Sequence, residues 1–308
     1  MTWRAQLPLL RRLLIAGFLL VAAGLLWRHA RTIEWHEVAV AIAGYPPSRL
    51  ALAAMASLLA YACYCGFDVL ARAYTGHGLS LRRVLTIAFV CYAFILNLGG
   101  VVGGFGFRYR LYSHAGLGVA TIARIAVFAV ASNWSGLLLL GGLALAFDPP
   151  PLPLAWEFTS RGLRSAGLVM LAVVTAWVAL CALSRRRHWS LRGHEIELPS
   201  FQIALLQVTV AAAGWLAIAT ILYLLMPDGV RYLTVAGVLL LSVLANLVIR
   251  IPANLGVMEA VFIAVLGPQW GPPQVLAALL TYRALFQIGP LLLALGVYSL
   301  LEAHARSN

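Results

Sequence analysis

Apolar positions in this chain follow neither the 3.6-residue nor the two-residue period for long; they run on for some twenty residues at a time. Apolar runs of ~18 residues or more predict membrane-spanning helices, because ~20 residues at helical rise cover the hydrocarbon core of a bilayer. Six segments read as full spans: about 9–28, 50–71, 119–147, 165–184, 201–226 and 274–301. Two other apolar regions are interrupted. Region 84–118 runs as a helix to Leu98 and then meets Gly99-Gly100-Val101-Val102-Gly103-Gly104-Phe105-Gly106. Region 232–267 runs to Ile249, breaks at Arg250-Ile251-Pro252-Ala253-Asn254-Leu255-Gly256, and resumes. Glycine clusters and proline weaken a helix, and at membrane depth such backbone persists only when buried in protein or lining a cavity.

Charge then orders the crossings. Arg185-Arg186-Arg187 and Arg192 mark a cytoplasmic loop, as do Arg4, Arg11 and Arg12 before the first span and Arg82 and Arg83 after the second. The segments carrying Glu34 and Glu37, Asp148 and Glu157, and Asp228 have little net charge and suit the far side. With the N-terminus inside, parity requires region 84–118 to enter and leave on the cytoplasmic side, and region 232–267 to do the same from outside. Both therefore read as re-entrant hairpins, and the C-terminus is expected inside. The expected fold is an all-α polytopic bundle forming one membrane domain over 1–308. Its halves, about 1–147 and 148–308, would be an inverted repeat, an arrangement in which broken helices meet near the midplane. The first run, Leu13–Trp27 after Arg11-Arg12, is followed by Trp27-Arg28-His29 rather than a small-residue cleavage site, so it reads as a retained helix.

Composition narrows the chemistry. The chain has 308 residues, 62% hydrophobic and 10% charged, with a formal net charge of +12 and every one of its 22 basic residues an arginine. Without lysine there is no P-loop and no Schiff-base catalysis. The positive balance follows the positive-inside rule and anionic headgroups rather than nucleic acid, which is not an expected partner. Cys63, Cys65, Cys91 and Cys181 lie in apolar stretches without His or acidic neighbours at ligand spacing, so no metal site and no cofactor are expected. The seven histidines show no HExxH spacing, and no G-x-S-x-G elbow is present.

The polar residues that remain inside apolar segments are the candidate site. Asn97 and the glycine tip, including Gly103, Gly104 and Gly106, precede Phe107-Arg108-Tyr109-Arg110. Exposed amides and Arg108 suit a phosphate; the alternative is close helix packing through Gly99-xxx-Gly103 and Gly100-xxx-Gly104. The second tip brings Pro252, Asn254 and Gly256 to Glu259, at the start of an apolar helix where a carboxylate needs a partner or a cavity. Glu259 suits an ion pair with arginine, a substrate amine or a coupling proton. Arg283 lies deep in the last span, with Gln287 one turn on and Pro290 after it as a kink. Arg124, nearer the inner surface, is a further candidate; Asn133 and Trp134 lie deeper in the same span. Asp68 and Arg72 read as an i,i+4 structural pair.

At these hairpins the chain resembles a known family. Asp68-Val69-Leu70-Ala71-Arg72, Cys91-Tyr92-Ala93-Phe94, Val102-Gly103-Gly104-Phe105-Gly106-Phe107-Arg108-Tyr109-Arg110-Leu111-Tyr112-Ser113, Ile251-Pro252-Ala253-Asn254-Leu255-Gly256-Val257-Met258-Glu259-Ala260-Val261-Phe262-Ile263-Ala264 and Tyr282-Arg283 are similar to the YbhN-type inner-membrane proteins. That group belongs to the family named for the transmembrane region of lysylphosphatidylglycerol synthase. In the bifunctional synthases this region is similar to a flippase, and a separate soluble domain makes the aminoacylated lipid. The resemblance implies lipid handling in a bacterial inner membrane and argues against aminoacyl transfer, so the chain is not expected to be an enzyme.

The leading expectation is a lipid translocase or lipid-transport component. A phospholipid headgroup would enter between the hairpins, its phosphate held by Arg108, Arg283 and glycine-loop amides, with Glu259 holding an amine or balancing charge. An intramembrane lipid aminoacyl-transferase is a second reading. A non-catalytic partner of lipid-synthesis or envelope proteins is a third.

Overall fold

The computed structural model describes residues 34–149, 159–184, 188–191, 194–249 and 254–307. The span expected at 9–28, Arg250 and Pro252 lie outside the described residues. A short helix, α1 (Trp35–Ala43), leads into α2 (Pro47–Thr75), whose first turn opens on a proline that lacks the N–H no partner could have used. Then come α3 (Leu81–Gly99), a π-helical stretch Gly100–Gly106, α4 (Phe107–His114) and α5 (Val119–Phe147). The second half holds α6 (Ser160–Leu183), a two-stranded hairpin of β1 (His188–Leu191) and β2 (His194–Glu197), and α7 (Phe201–Leu225). After α8 (Tyr232–Ile249) and α9 (Val257–Trp270), the last span is built from α10 (Pro272–Tyr282), a π-helical stretch Arg283–Ile288 and α11 (Gly289–Ser307).

Six of these helices are long and apolar enough to cross a membrane: Pro47–Thr75, Leu81–Gly99, Val119–Phe147, Ser160–Leu183, Phe201–Leu225 and Pro272–Leu301. Five coincide with sequence-expected spans, and Val119–Phe147 does so at both ends. The sixth, Leu81–Gly99, is the arm expected to lead into the first break. It is 19 residues long, enough on its own for a hydrocarbon core. The chain is membrane-embedded and helical.

Packing is led by α2 against α7, then α5 against α6 and α7. Small residues make these crossings close. A Cβ on Gly136 would collide with the Ala211 backbone, and one on Gly167 would lie 2.6 Å from the Ala146 nitrogen. Between apolar helices in lipid no hydrophobic force acts, so close backbone approach and interhelical hydrogen bonds hold the bundle. Gln207, buried on α7, supplies the latter: its Nε2 donates to Ser132 Oγ at 2.9 Å, and its Oε1 accepts from the Trp177 indole at 3.3 Å. α6 is, with the last span, among the least enclosed, presenting Leu168, Val169, Val173, Leu180 and Leu183 outward.

The flanks of each interrupted region lie near one another. In the first, Arg83 at the start of α3 donates to the His114 carbonyl at the end of α4 (3.5 Å). In the second, Gly229, just before α8, lies beside the Trp270 indole at the end of α9. The two contacts lie towards opposite ends of α2. The first unit starts where α2 finishes; the second starts beside Arg49 at the head of α2, which pairs with Asp228 (2.5 Å), and beside Asp148 at the foot of α5, which accepts from Arg231 (3.1 Å).

Candidate functional site

Both breaks converge on the π-helical stretch of the last span. Pro290 has no N–H for the Phe286 carbonyl and its ring crowds that oxygen, so the helix widens by one residue ahead of it. The carbonyls thereby released are not left bare in an apolar bundle. Ser57 Oγ donates to Leu285 O (3.2 Å), Tyr61 Oη to Phe286 O (3.2 Å) and Asn97 Nδ2 to Gln287 O (3.1 Å). Asn97 stands two residues from the glycine tip, so the first break is tied directly to this segment. The second break is tied by Arg283, whose Nη2 donates to the Asn254 carbonyl at 3.1 Å.

Arg283 is the hub. Its Nε and Nη2 hold the two oxygens of Glu259 at 2.5 and 3.0 Å, a bidentate pair, and Nη1 donates to Gln287 Oε1 at 2.8 Å. Glu259 in turn accepts from the Gly256 N–H at 2.9 Å, capping the free N-terminus of α9. The chain reaches that cap through two left-handed residues: Gly256 at φ 78° and Asn254 at φ 55°, the latter rare for a residue with a Cβ. Asn254, Gly256, Glu259, Arg283 and Gln287 thus form one constellation, joined by Asn97 through the π-helical backbone.

Arg108 is not part of it. On α4 it points at Asp68 of α2, its Nη2 donating to Asp68 Oδ2 at 2.7 Å, while Tyr112 Oη donates to Oδ1 at 2.9 Å. The Tyr92 ring lies under the Arg108 guanidinium, 5.2 Å from its centroid. Asp68 is fully buried, and Arg108 is 4% exposed at the side chain. The i,i+4 reading of Asp68 with Arg72 gives way to this arrangement: Arg72 donates through Nε to the Leu79 carbonyl at 2.7 Å and closes the turn after α2. An aromatic ladder joins the two constellations. Tyr92 stacks on Tyr64 (4.7 Å), Tyr64 on Phe286 (6.4 Å), and Phe286 adjoins Tyr282, the residue before Arg283.

The glycine tip sits in π-helical backbone. Gly103 is pressed against α3 so closely that any Cβ would strike the Phe94 carbonyl, and Gly104 approaches Ile95, whereas Gly100 and Gly106 have open space. Packing against α3 accounts for Gly103 and Gly104. Arg124 is taken up elsewhere: it pairs with Glu197 at 2.5 Å and lies over the Tyr74 ring at 5.1 Å, with Tyr74 Oη donating to the Glu197 carbonyl at 2.6 Å. Asn133 accepts at its backbone oxygen from Trp215 Nε1 (2.9 Å), an interhelical bond.

His77 and Tyr45, at the ends of the bundle, carry shifted titrations. Burial, reinforced by Arg72, holds His77 below the ordinary imidazole range, so the neutral ring accepts from the Leu79 N–H at Nδ1 (3.4 Å). Burial pushes Tyr45 up to about 12 against the opposing pull of Arg49, so its hydroxyl stays a donor, to the Leu225 carbonyl at 2.6 Å.

Sequence reasoning missed Tyr92, Tyr112 and the partner of Asp68. A signal existed for one of them: Arg108 and Tyr112 are four apart on α4 and therefore share a face.

Six apolar spans among the described residues, around two largely buried arginine–carboxylate pairs, define a multi-pass membrane protein with a polar interior. The family described as the lysylphosphatidylglycerol synthase TM region matches residues 14–294. The inner membrane protein YbhN of Escherichia coli (strain K12) is 39% identical over 305 residues, covering 99% of this chain and 95% of that one. An uncharacterized protein of Synechocystis is 31% identical over 281 residues, covering 89% of this chain and 86% of its own. The chain belongs to the lysylphosphatidylglycerol synthase TM-region family.

Proposed function

We propose that the chain is a lipid translocase, or the lipid-handling component of one, in the bacterial inner membrane, with both termini cytoplasmic. The observation that carries this reading is the Arg283–Glu259 constellation, placed where two interrupted helices meet a π-helical break inside an apolar bundle. Ionisable groups at membrane depth are costly and mark pathways. Broken helices facing each other from opposite ends are how inverted-repeat transporters build a midplane site. In this reading the two units are re-entrant hairpins, the halves 1–147 and 148–308 rock against each other, and a phospholipid headgroup binds at Arg283 between the tips. The Asp68–Arg108 pair anchors the first hairpin to α2.

Reconstitution of the full chain into liposomes carrying leaflet-specific lipid labels tests this. Wild-type protein is expected to move label between leaflets, and Arg283→Ala and Glu259→Gln to slow it. Equal rates for wild type and both variants sink the site; no movement above protein-free liposomes sinks the function.

One observation favours a second reading, a non-catalytic partner that organises lipid-synthesis or envelope proteins: both buried arginines are already paired with carboxylates of this chain. That reading expects the charge-neutral pair Glu259→Gln with Arg283→Gln to retain function in cells, and loop variants to lose it.

A further inference from the structure

We propose that the Glu259–Arg283 pair takes a headgroup bearing a phosphate and a primary ammonium together, the phosphoethanolamine class, by exchange of partners. This rests on the translocase reading and narrows its substrate.

The two buried pairs differ in access. Side-chain exposure is 8% for Arg283 and 16% for Glu259, against 4% and 0% for Arg108 and Asp68. Around the more open pair the surface is apolar: Leu255 is 52% exposed and Ile288 51%, and Ala260 and Ala284 are exposed too. From Ala284 an exposed strip continues through Ile288 to Leu292 along the last span. A headgroup at Arg283 would lay its acyl chain on that strip, so the approach is sideways, from lipid.

Charge selects the headgroup. Arg283 and Glu259 sum to zero, and all three of the guanidinium's nitrogens already donate. A phosphate binding Arg283 bidentately displaces Glu259 from it. A purely anionic headgroup would then strand a carboxylate in a low-dielectric interior, the arrangement proteins tolerate least. A headgroup that brings its own ammonium fills the vacated partner position, and the net charge of the site stays zero. A second acceptor is in place: the buried Oδ1 of Asn254 has no hydrogen-bond partner, and the same residue's backbone carbonyl already touches Arg283. Glu259 and Asn254 together offer acceptors to an ammonium with N–H bonds; a trimethylated nitrogen has none to give.

The test uses the full chain in liposomes with acyl-labelled phosphatidylethanolamine or phosphatidylglycerol, read by quenching of the outer leaflet. The ethanolamine probe is expected to cross at least about tenfold faster than the glycerol probe, the size of discrimination that an unpaired buried charge enforces. Asn254→Gly suits the left-handed backbone and deletes only the side-chain acceptor. It is expected to erase most of the preference while thermal unfolding in detergent stays near wild type. Excess soluble phosphoethanolamine is expected to leave the lipid rate unchanged; full competition would make the free headgroup the occupant and overturn the lipid assignment. Glycerol lipid crossing as fast as ethanolamine lipid, or an unchanged preference in Asn254→Gly, overturns the headgroup class and leaves the translocase reading standing. No movement of either probe sinks both.

Discussion

The two buried arginine–carboxylate pairs have the same chemistry and different surroundings. Asp68–Arg108 joins two helices and is closed by Tyr112, by Tyr92 and by the tight seat of Gly103 on α3. Glu259–Arg283 joins a loop tip to a distorted helix, caps α9, and opens partly to an apolar surface. Only the first has the burial and enclosure of a lock. The second holds elements whose backbone is already irregular, and irregular backbone at membrane depth is where transporters bind. A buried ion pair is thus no indicator of function by itself; how fully it is enclosed tells the two apart.

The sharpest way to break this comparison is Arg108→Ala. It leaves the Asp68 carboxylate buried and unpaired and is expected to cost about 3–5 kcal/mol, measured by unfolding in mixed micelles. Adding Asp68→Asn is expected to recover much of the loss; a double variant as unstable as the single one would mean that charge is not the cause. Next comes Gly103→Ala, expected to cost about 1–3 kcal/mol by prising the glycine stretch off α3. Gly100→Ala, with no atom within 4 Å of the new methyl, serves as the neutral control, and equal effects at both positions would remove the close-packing argument. Glu259→Gln keeps the shape of the cap and is expected to cost less than Arg108→Ala, about 1–2 kcal/mol, while slowing lipid movement far more. A stability loss as large as that of Arg108→Ala would make the second pair a lock as well. The smallest effect is expected from Asp228→Ala, whose side chain is 87% exposed: under about 1 kcal/mol, and vanishing in molar salt.

Much of this was legible in the sequence because lipid allows so few solutions. An apolar run long enough to cross reads directly as a helix, and Val119–Phe147 emerged with both of its boundaries. Glycine and proline placed the two interruptions, and the depth of Glu259 and Arg283 singled them out as residues that needed partners. What stayed hidden was partner choice. A sequence displays only separations along one helix, so it offers Asp68 the Arg72 four residues away; the actual partner is 40 residues on, across a helix boundary. The same limit hid the service that Ser57, Tyr61 and Asn97 perform for the carbonyls of another helix. The proline responsible was visible; its effect, a widened turn instead of a simple kink, depended on acceptors that only the packed bundle supplies.

That widened turn has a mechanical meaning. A π-helical turn holds one residue more than an α-helical turn would, so it is a stored register shift. Relaxing it would rotate everything beyond it by about 100° and advance it by about 1.5 Å, without bending the axis. In this chain the surplus residue lies between Arg283 and Leu292, the α11 end of the apolar strip. Taking it up would turn that end of the strip like a key while the guanidinium stayed where it is, a screw motion where a hinge would otherwise be sought.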